Sequence, residues 1–264
     1  MTNEASPGQV TVERVDAIAI VRFANPPHGT MAAKGAAQLR DALARAIADE
    51  AVHAIIVTGG QDGVFIRHAD VSQIAKAGEY LATGQIDPAA FAQSPFNDVA
   101  AMLEAARKPV IAAINGVCMG GGLELALACT IRIAAQDVKA IGLPEIRIDI
   151  FPGAGGIARL AAIIGMQKAR LMSLRGTVLD AHEAFQAGIV DEVAPDALYG
   201  AMKVARELAG RAPAAIRAIM ALAADRTPLE GSSLALARLL RDEPAVRERL
   251  RRFLADGEWL DQIS

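Results

Sequence analysis

Cysteine is nearly absent from this chain of 264 residues: Cys118 and Cys129 are the whole supply, and both lie in apolar segments. Two thiols do not make a disulfide scaffold, so the fold is expected to rest on a hydrophobic core in a reducing compartment. An excess of either charge is missing as well. The formal net charge is −3, which gives no overall pull toward nucleic acid or an anionic membrane, and any phosphate recognition has to come from a local cluster. Long apolar runs are also lacking. The longest uncharged stretch, residues 109–123, is broken by Asn115 and several glycines and falls short of the roughly 18–20 residues a spanning helix needs. The opening MTNEASPGQV is neither a basic-then-apolar secretory signal nor an Arg-rich presequence, so the expected location is cytoplasmic. No His, Cys and carboxylate grouping has metal-ligand spacing, and no internal repeat or low-complexity linker stands out.

What is present is 53% hydrophobic and 22% charged residues, the balance of a globular protein with a sizeable core. β-Branched runs at Gln9–Val15 and residues 17–23 flank Asp16 and predict a hairpin. Leu39, Leu43 and Ile47 recur at helical spacing within a predicted helix over residues 32–49. Residues 54–58 and Val110–Ile114 are short, unbroken apolar runs, the pattern of parallel strands covered on both faces. With a helix over 98–106 between them, they imply a parallel sheet layered with helices. Further strands are predicted at 131–134 and 140–142, and helices at 124–129, 155–164 and 168–174. From Pro195 onward the pattern is helical only, with breaks at Pro213, Pro228 and Pro244. That shift divides the chain into an α/β core (residues 1–195) and a helical C-terminal region (196–264).

The segment Gly120-Gly121-Gly122-Leu123-Glu124 follows a buried strand and opens a helix. Free N–H groups at such a helix start, with the dipole behind them, suit an anion. If that anion is a transient enolate, amides placed in advance lower the barrier by a few kcal/mol per donor, roughly. Gly121 is the candidate donor, and Glu124 lies about one turn on along the same face. The plainer reading is close packing of strand against helix, which glycines also allow. The charged Glu124 in an otherwise apolar helix speaks against that plainer reading, because an unpaired buried carboxylate is costly. A second carboxylate, Glu145, follows Gly142-Leu143-Pro144, and a second glycine turn, Phe151-Pro152-Gly153-Ala154-Gly155-Gly156, comes next.

In their order and spacing GGGLE, PE and PGAGG resemble the enoyl-CoA hydratase/isomerase (crotonase) family, over roughly residues 9–195 and including the AINGVCMGGGLE block. The resemblance implies a crotonase-type α/β spiral of ββα units with a helical C-terminal region that forms trimers, often as a dimer of trimers. It implies an acyl-CoA thioester as substrate, with coenzyme A entering as part of the substrate, no separate cofactor and no metal. Glu124 would be the base that activates water, and Glu145 the acid that protonates Cα. That split suits two adjacent carboxylates that cannot both ionise cheaply. The backbone of Gly153 would line the water site. The family's other oxyanion donor maps to Arg67, within Phe65-Ile66-Arg67-His68-Ala69-Asp70, and His68, Ala69, Asp70 and Gly120 would border the substrate.

The chain departs from the family pattern at several places. His68 replaces a glycine and is open to three readings: an acid or base, a group that shapes the substrate site, or a bystander. A positive φ, uncommon for histidine, would strain it. Arg67 can also contact a carboxylate or phosphate. Asp149 stands where the family has glycine and reads as a turn residue. Pro27-His28-Gly29-Thr30-Met31 lacks the family's lysine. The leading expectation is hydration of a 2-enoyl-CoA. The alternatives are enoyl-CoA isomerisation, C–C bond hydrolysis, or a non-catalytic RNA-binding member of the fold, for which the tail arginines Arg238, Arg241, Arg247, Arg249, Arg251 and Arg252 are the only hint.

Overall fold

The computed structural model describes residues 9–225 and, in the tail, residues 238, 240, 242, 243, 245, 246 and 248. β1 (Gln9–Val15) and β2 (Ile18–Ala24) form the expected hairpin, with Val15 paired to Ile18 and Asp16 at a left-handed φ of 55°. Helix α1 (Ala33–Ala48) buries Leu39 and Leu43 on its inner face. The chain then alternates: β3 (Ala54–Gly59) and β4 (Gly63–Ile66), helices α2 (Val71–Ala82), α3 (Pro88–Ala92) and α4 (Pro95–Ala105), then β5 (Val110–Ile114), β6 (Gly116–Met119) and α5 (Gly121–Ala128). A third turn comprises β7 (Ile131–Ala135), β8 (Ile141–Gly142), α6 (Gly156–Ile164) and α7 (Met166–Arg175). β9 (Val178–Leu179), α8 (Ala181–Gln186), β10 (Glu192–Ala194), α9 (Ala197–Ala209) and α10 (Pro213–Asp225) complete it.

Each strand–strand–helix turn sends its first strand to one sheet and its second to another. The larger sheet runs β1-β2-β3-β5-β7-β10, parallel from β2 onward, and the smaller runs β4-β6-β8-β9. Apolar residues without alternation fill β5 because helices and the second sheet cover both faces. The turns are tied to one another: Asn115 in the β5–β6 turn accepts from Gly59 N (3.0 Å) and donates to Gln61 O (3.2 Å) in the turn before.

The first helix after position 195 shares the core of the residues that precede it. α9 packs across β3, β5 and β7, and its Ala197, Ala201 and Ala205 are fully buried in the same hydrophobic cluster as those strands. Pro213 opens α10 at a position where its missing N–H costs nothing. The breaks expected at Pro228 and Pro244, and every tail arginine except Arg238, lie outside the described residues. Cys118 and Cys129 are free and buried. Among the described residues no helix is long and apolar enough to cross a membrane, and no group of His, Cys, Asp and Glu could hold a metal ion.

Candidate active site

Three loops leave the C-terminal ends of adjacent parallel strands of the smaller sheet. Residues 67–70 follow β4, residues 120–122 follow β6, and residues 143–145 follow β8. Backbone bonds hold them together past the strands: Met119 N donates to Arg67 O (3.1 Å) and Gly120 N to Gly142 O (2.9 Å). Parallel neighbours lie about 5 Å apart, so one small ligand can touch all three loops. They frame a cavity of about 430 Å³ bordered by His68, Ala69, Gly121, Glu124, Glu145 and Gly153. Both candidate acids therefore open on one space.

Glu124 is 4% exposed in the first turn of α5. Its Oε1 accepts from Ala154 N (2.8 Å) and Gly156 N (2.9 Å), the amides of the second glycine turn. Burial raises its pKa, and the two amides and the Arg159 guanidinium pull it back down. Arg159 donates to the carbonyl of Ala154 and to Glu104 Oε2 (2.8 Å), which fixes that turn. Gly156 has to be glycine: a methyl there would stand 2.7 Å from Glu124 Cγ.

Glu145 begins a short 3-10 turn (Glu145–Ile148) that Asp149 ends in a left-handed conformation, φ 60°. Asp149 is exposed and acts as the turn residue its position suggested. Glu145 is half-buried, and its Oε2 has no partner in the protein. Its pKa is pushed up to about 7, first by burial and further by the charge of Glu124, with its own backbone opposing. The same residue type is thus fixed by amides in one case and left without donors in the other.

The structure corrects the loop donor. Arg67 N donates to Gly29 O (2.9 Å) and is not available to a ligand. Residues 29–31 and 67–70 zip together, with Met31 N on His68 O and Asp70 N on Met31 O, each at 2.9 Å. The segment's amide that faces Gly121 is that of Ala69: a methyl built on Gly121 would come within 3.1 Å of Ala69 N and 2.8 Å of Phe96 Cζ. Among the described residues the amides of Ala69, Gly121 and Gly153 have no protein acceptor. Sequence reasoning missed this because the partner of Arg67 lies 38 positions away, at Gly29, and no local pattern signals that pairing.

Asp70 is a second correction. Its carboxylate accepts from Ser72 N (2.9 Å) and caps α2, so the side chain acts first as a helix cap. His68 borders the cavity next to Gly120, and its Nδ1 lies 2.7 Å from Ala69 O. A carbonyl only accepts, so Nδ1 is the donor. His68 is also unstrained, since Asp16 and Asp149 are the non-glycine residues with positive φ among those described. Arg67 is exposed. A second, apolar cavity of about 280 Å³ continues from the first, sharing Ala69, Ile74, Glu124 and Gly153.

The enoyl-CoA hydratase/isomerase family profile matches residues 13–240. The fatty acid oxidation complex subunit alpha of Shewanella loihica is 34% identical over 208 residues, 77% of this chain; the chain spans 29% of that relative's length. Among solved structures, the DspI protein of Pseudomonas aeruginosa superposes with a TM-score of 0.83 at 30% identity, covering 97% of this chain and 98% of that one. An enoyl-CoA hydratase of Thermoplasma volcanium gives 0.81 at 30% identity, over 92% and 96%. Enoyl-CoA hydratase subunit I of Geobacillus kaustophilus gives 0.81 at 29% identity, over 94% and 95%.

Proposed function

The chain belongs to the enoyl-CoA hydratase/isomerase family, and on that premise we propose that it adds water across the double bond of a 2-enoyl-CoA thioester. The observation that carries the reading is the unequal carboxylate pair on one cavity: Glu124 held by two amides, and Glu145 without a donor and at about 7. The thioester oxygen accepts from the amides of Ala69 and Gly121. Glu124 takes a proton from water, whose oxygen bonds to Cβ while the C=C electron pair moves toward the thioester oxygen. The resulting enolate collapses as Glu145 gives its proton to Cα, leaving a 3-hydroxyacyl thioester. Coenzyme A enters only as the carrier of the acyl group.

Donors aimed at the oxygen where charge develops are worth about 10²–10³ in rate each, and a positioned acid or base about 10²–10⁴. The test is loss of the conjugated thioester absorbance of crotonyl-CoA. Wild type should turn over, and Glu124→Gln and Glu145→Gln should each lose at least a hundredfold, roughly; a wild type without hydration activity would overturn the proposal. The rival within the family is double-bond isomerisation. A carboxyl at about 7 suits it equally, because a single group can carry a proton from one carbon to another. Conversion of a 3-enoyl-CoA, with Glu124→Gln still active, would favour that rival.

The same premise makes the assembly a homotrimer or a dimer of trimers. It would form through helices beyond α9, because the inner face of α9 is already committed to the main sheet. Light scattering coupled to size-exclusion chromatography reads the subunit number.

A further inference from the structure

We propose that the apolar cavity behind Glu124 receives the hydrocarbon tail of the substrate and that Phe91, at its outer end, sets the longest straight chain accepted. The inference rests on the acyl-thioester reading of the same site. The two cavities share Ala69 and Glu124, so a chain whose carbonyl meets the Ala69 and Gly121 amides continues into the second without leaving the protein.

The chemistry of the wall selects the tail. Its polar side chains already tie down backbone: Gln73 Oε1 accepts from Ala33 N (2.9 Å), Asn97 Nδ2 donates to Ala92 O (2.8 Å), and Asp70 caps α2. A hydroxyl or carboxylate carried on the tail would lose its water and meet groups that are already committed, whereas methylenes gain on leaving water.

Two phenylalanines mark the ends. Phe96 stands at the inner end, where a methyl on Gly121 would touch its Cζ at 2.8 Å. Phe91 lines the same cavity and is 45% exposed, so its ring stands between the chamber and solvent. Between them α2 presents Ile74 and Ala77 to the chamber, yet neither α2 nor α3 has a single buried residue. An apolar helix face lining a cavity without packing is what an apolar tail would cover, and the tail's length is read where Phe91 meets it.

The experiment is kcat/KM for 2-enoyl-CoA substrates of increasing straight-chain length, in wild type, Phe91→Trp and Phe91→Ala. Each methylene that finds room should multiply kcat/KM by about fourfold, up to a break where the chamber is full. Phe91→Trp should move the break to shorter chains and Phe91→Ala to longer ones. The readout is the ratio of long-chain to short-chain values within each variant, so a general loss of activity cancels. Isothermal titration calorimetry with saturated acyl-CoAs of the same lengths repeats the series without turnover. A break that moves in binding while no enoyl-CoA is hydrated supports the chamber and sinks the hydratase reading. A break at the same chain length in all three proteins overturns the proposal, whether or not hydration is seen.

Discussion

Replacing Glu145 with glutamine should cost the enzyme its activity and make the fold more stable above pH 7. The carboxyl is raised from an ordinary 4.5 to about 7, with burial the largest cause. A raised acid binds its proton more tightly folded than unfolded, so its favourable contribution is complete below pH 4.5 and is lost as pH climbs to about 7. The displacement corresponds to at most roughly 3 kcal/mol, which solvent screening of this half-buried side chain reduces to about 1–2 kcal/mol. Glutamine keeps the shape and cannot ionise. Urea unfolding at pH 5 and pH 8 should therefore show wild type losing that amount between the two and Glu145→Gln losing little of it.

The catalytic side of the same prediction is a fall in rate. Hydration and its reverse both need one proton shared by the pair, on Glu145 in one direction and on Glu124 in the other. Above about 7 that proton is lost, so kcat/KM should fall about tenfold per pH unit in both directions. A flat profile from pH 6 to 9, or a Glu145→Gln variant as pH-sensitive in stability as wild type, would refute the reasoning.

Three further outcomes follow from the geometry. Arg159→Met removes a charge that lowers the pKa of Glu124 and frees the Ala154 turn, so the acid limb of the kcat/KM profile should move to higher pH while the basic limb stays. Gly121→Ala puts a methyl 3.1 Å from Ala69 N; kcat should drop about 10²–10³-fold with a stability loss of about 1–3 kcal/mol, read by steady-state kinetics beside thermal melts. Arg132 is buried in β7 and donates to Ile189 O (2.8 Å), Cys129 O (2.9 Å) and Asp191 Oδ2 (2.7 Å); Arg132→Met should cost about 3–5 kcal/mol in urea unfolding while kcat per folded molecule holds.

Most of the main sheet is legible in the sequence because β3 and β5 are buried on both faces and so read as unbroken apolar runs. The smaller sheet is not legible. β4 and β6 have four residues each and β8 and β9 two, too short for any periodicity to show. The helix α2 is missed for a different reason: it buries nothing, so no inward apolar stripe stands out against the rest of it. Glu124, Glu145 and Gly121 were found because a charge in an apolar helix and a glycine turn at a helix start are local signals. The Ala69 amide was missed because a backbone N–H has no signature in sequence, and its availability depends on which neighbour Gly29 captures.

The two sheets explain why such different loops act together. Each turn of the chain lays its second strand beside the one before, in parallel, so the loops after β4, β6 and β8 stack in the order in which they are made. The first brings a bare amide, the second an amide and a carboxylate on a helix start, and the third a carboxylate on a short turn. The helix start matters for Glu124, since the dipole there and the Ala154 and Gly156 amides both favour its ionised form. Glu145 sits in no such field and keeps its proton to a higher pH. Exchanging the surroundings would exchange the roles, so acid and base are assigned here by backbone placement and not by residue type. A repeat that returned its strands antiparallel would send alternate loops to opposite ends of the sheet, and the pair would never meet.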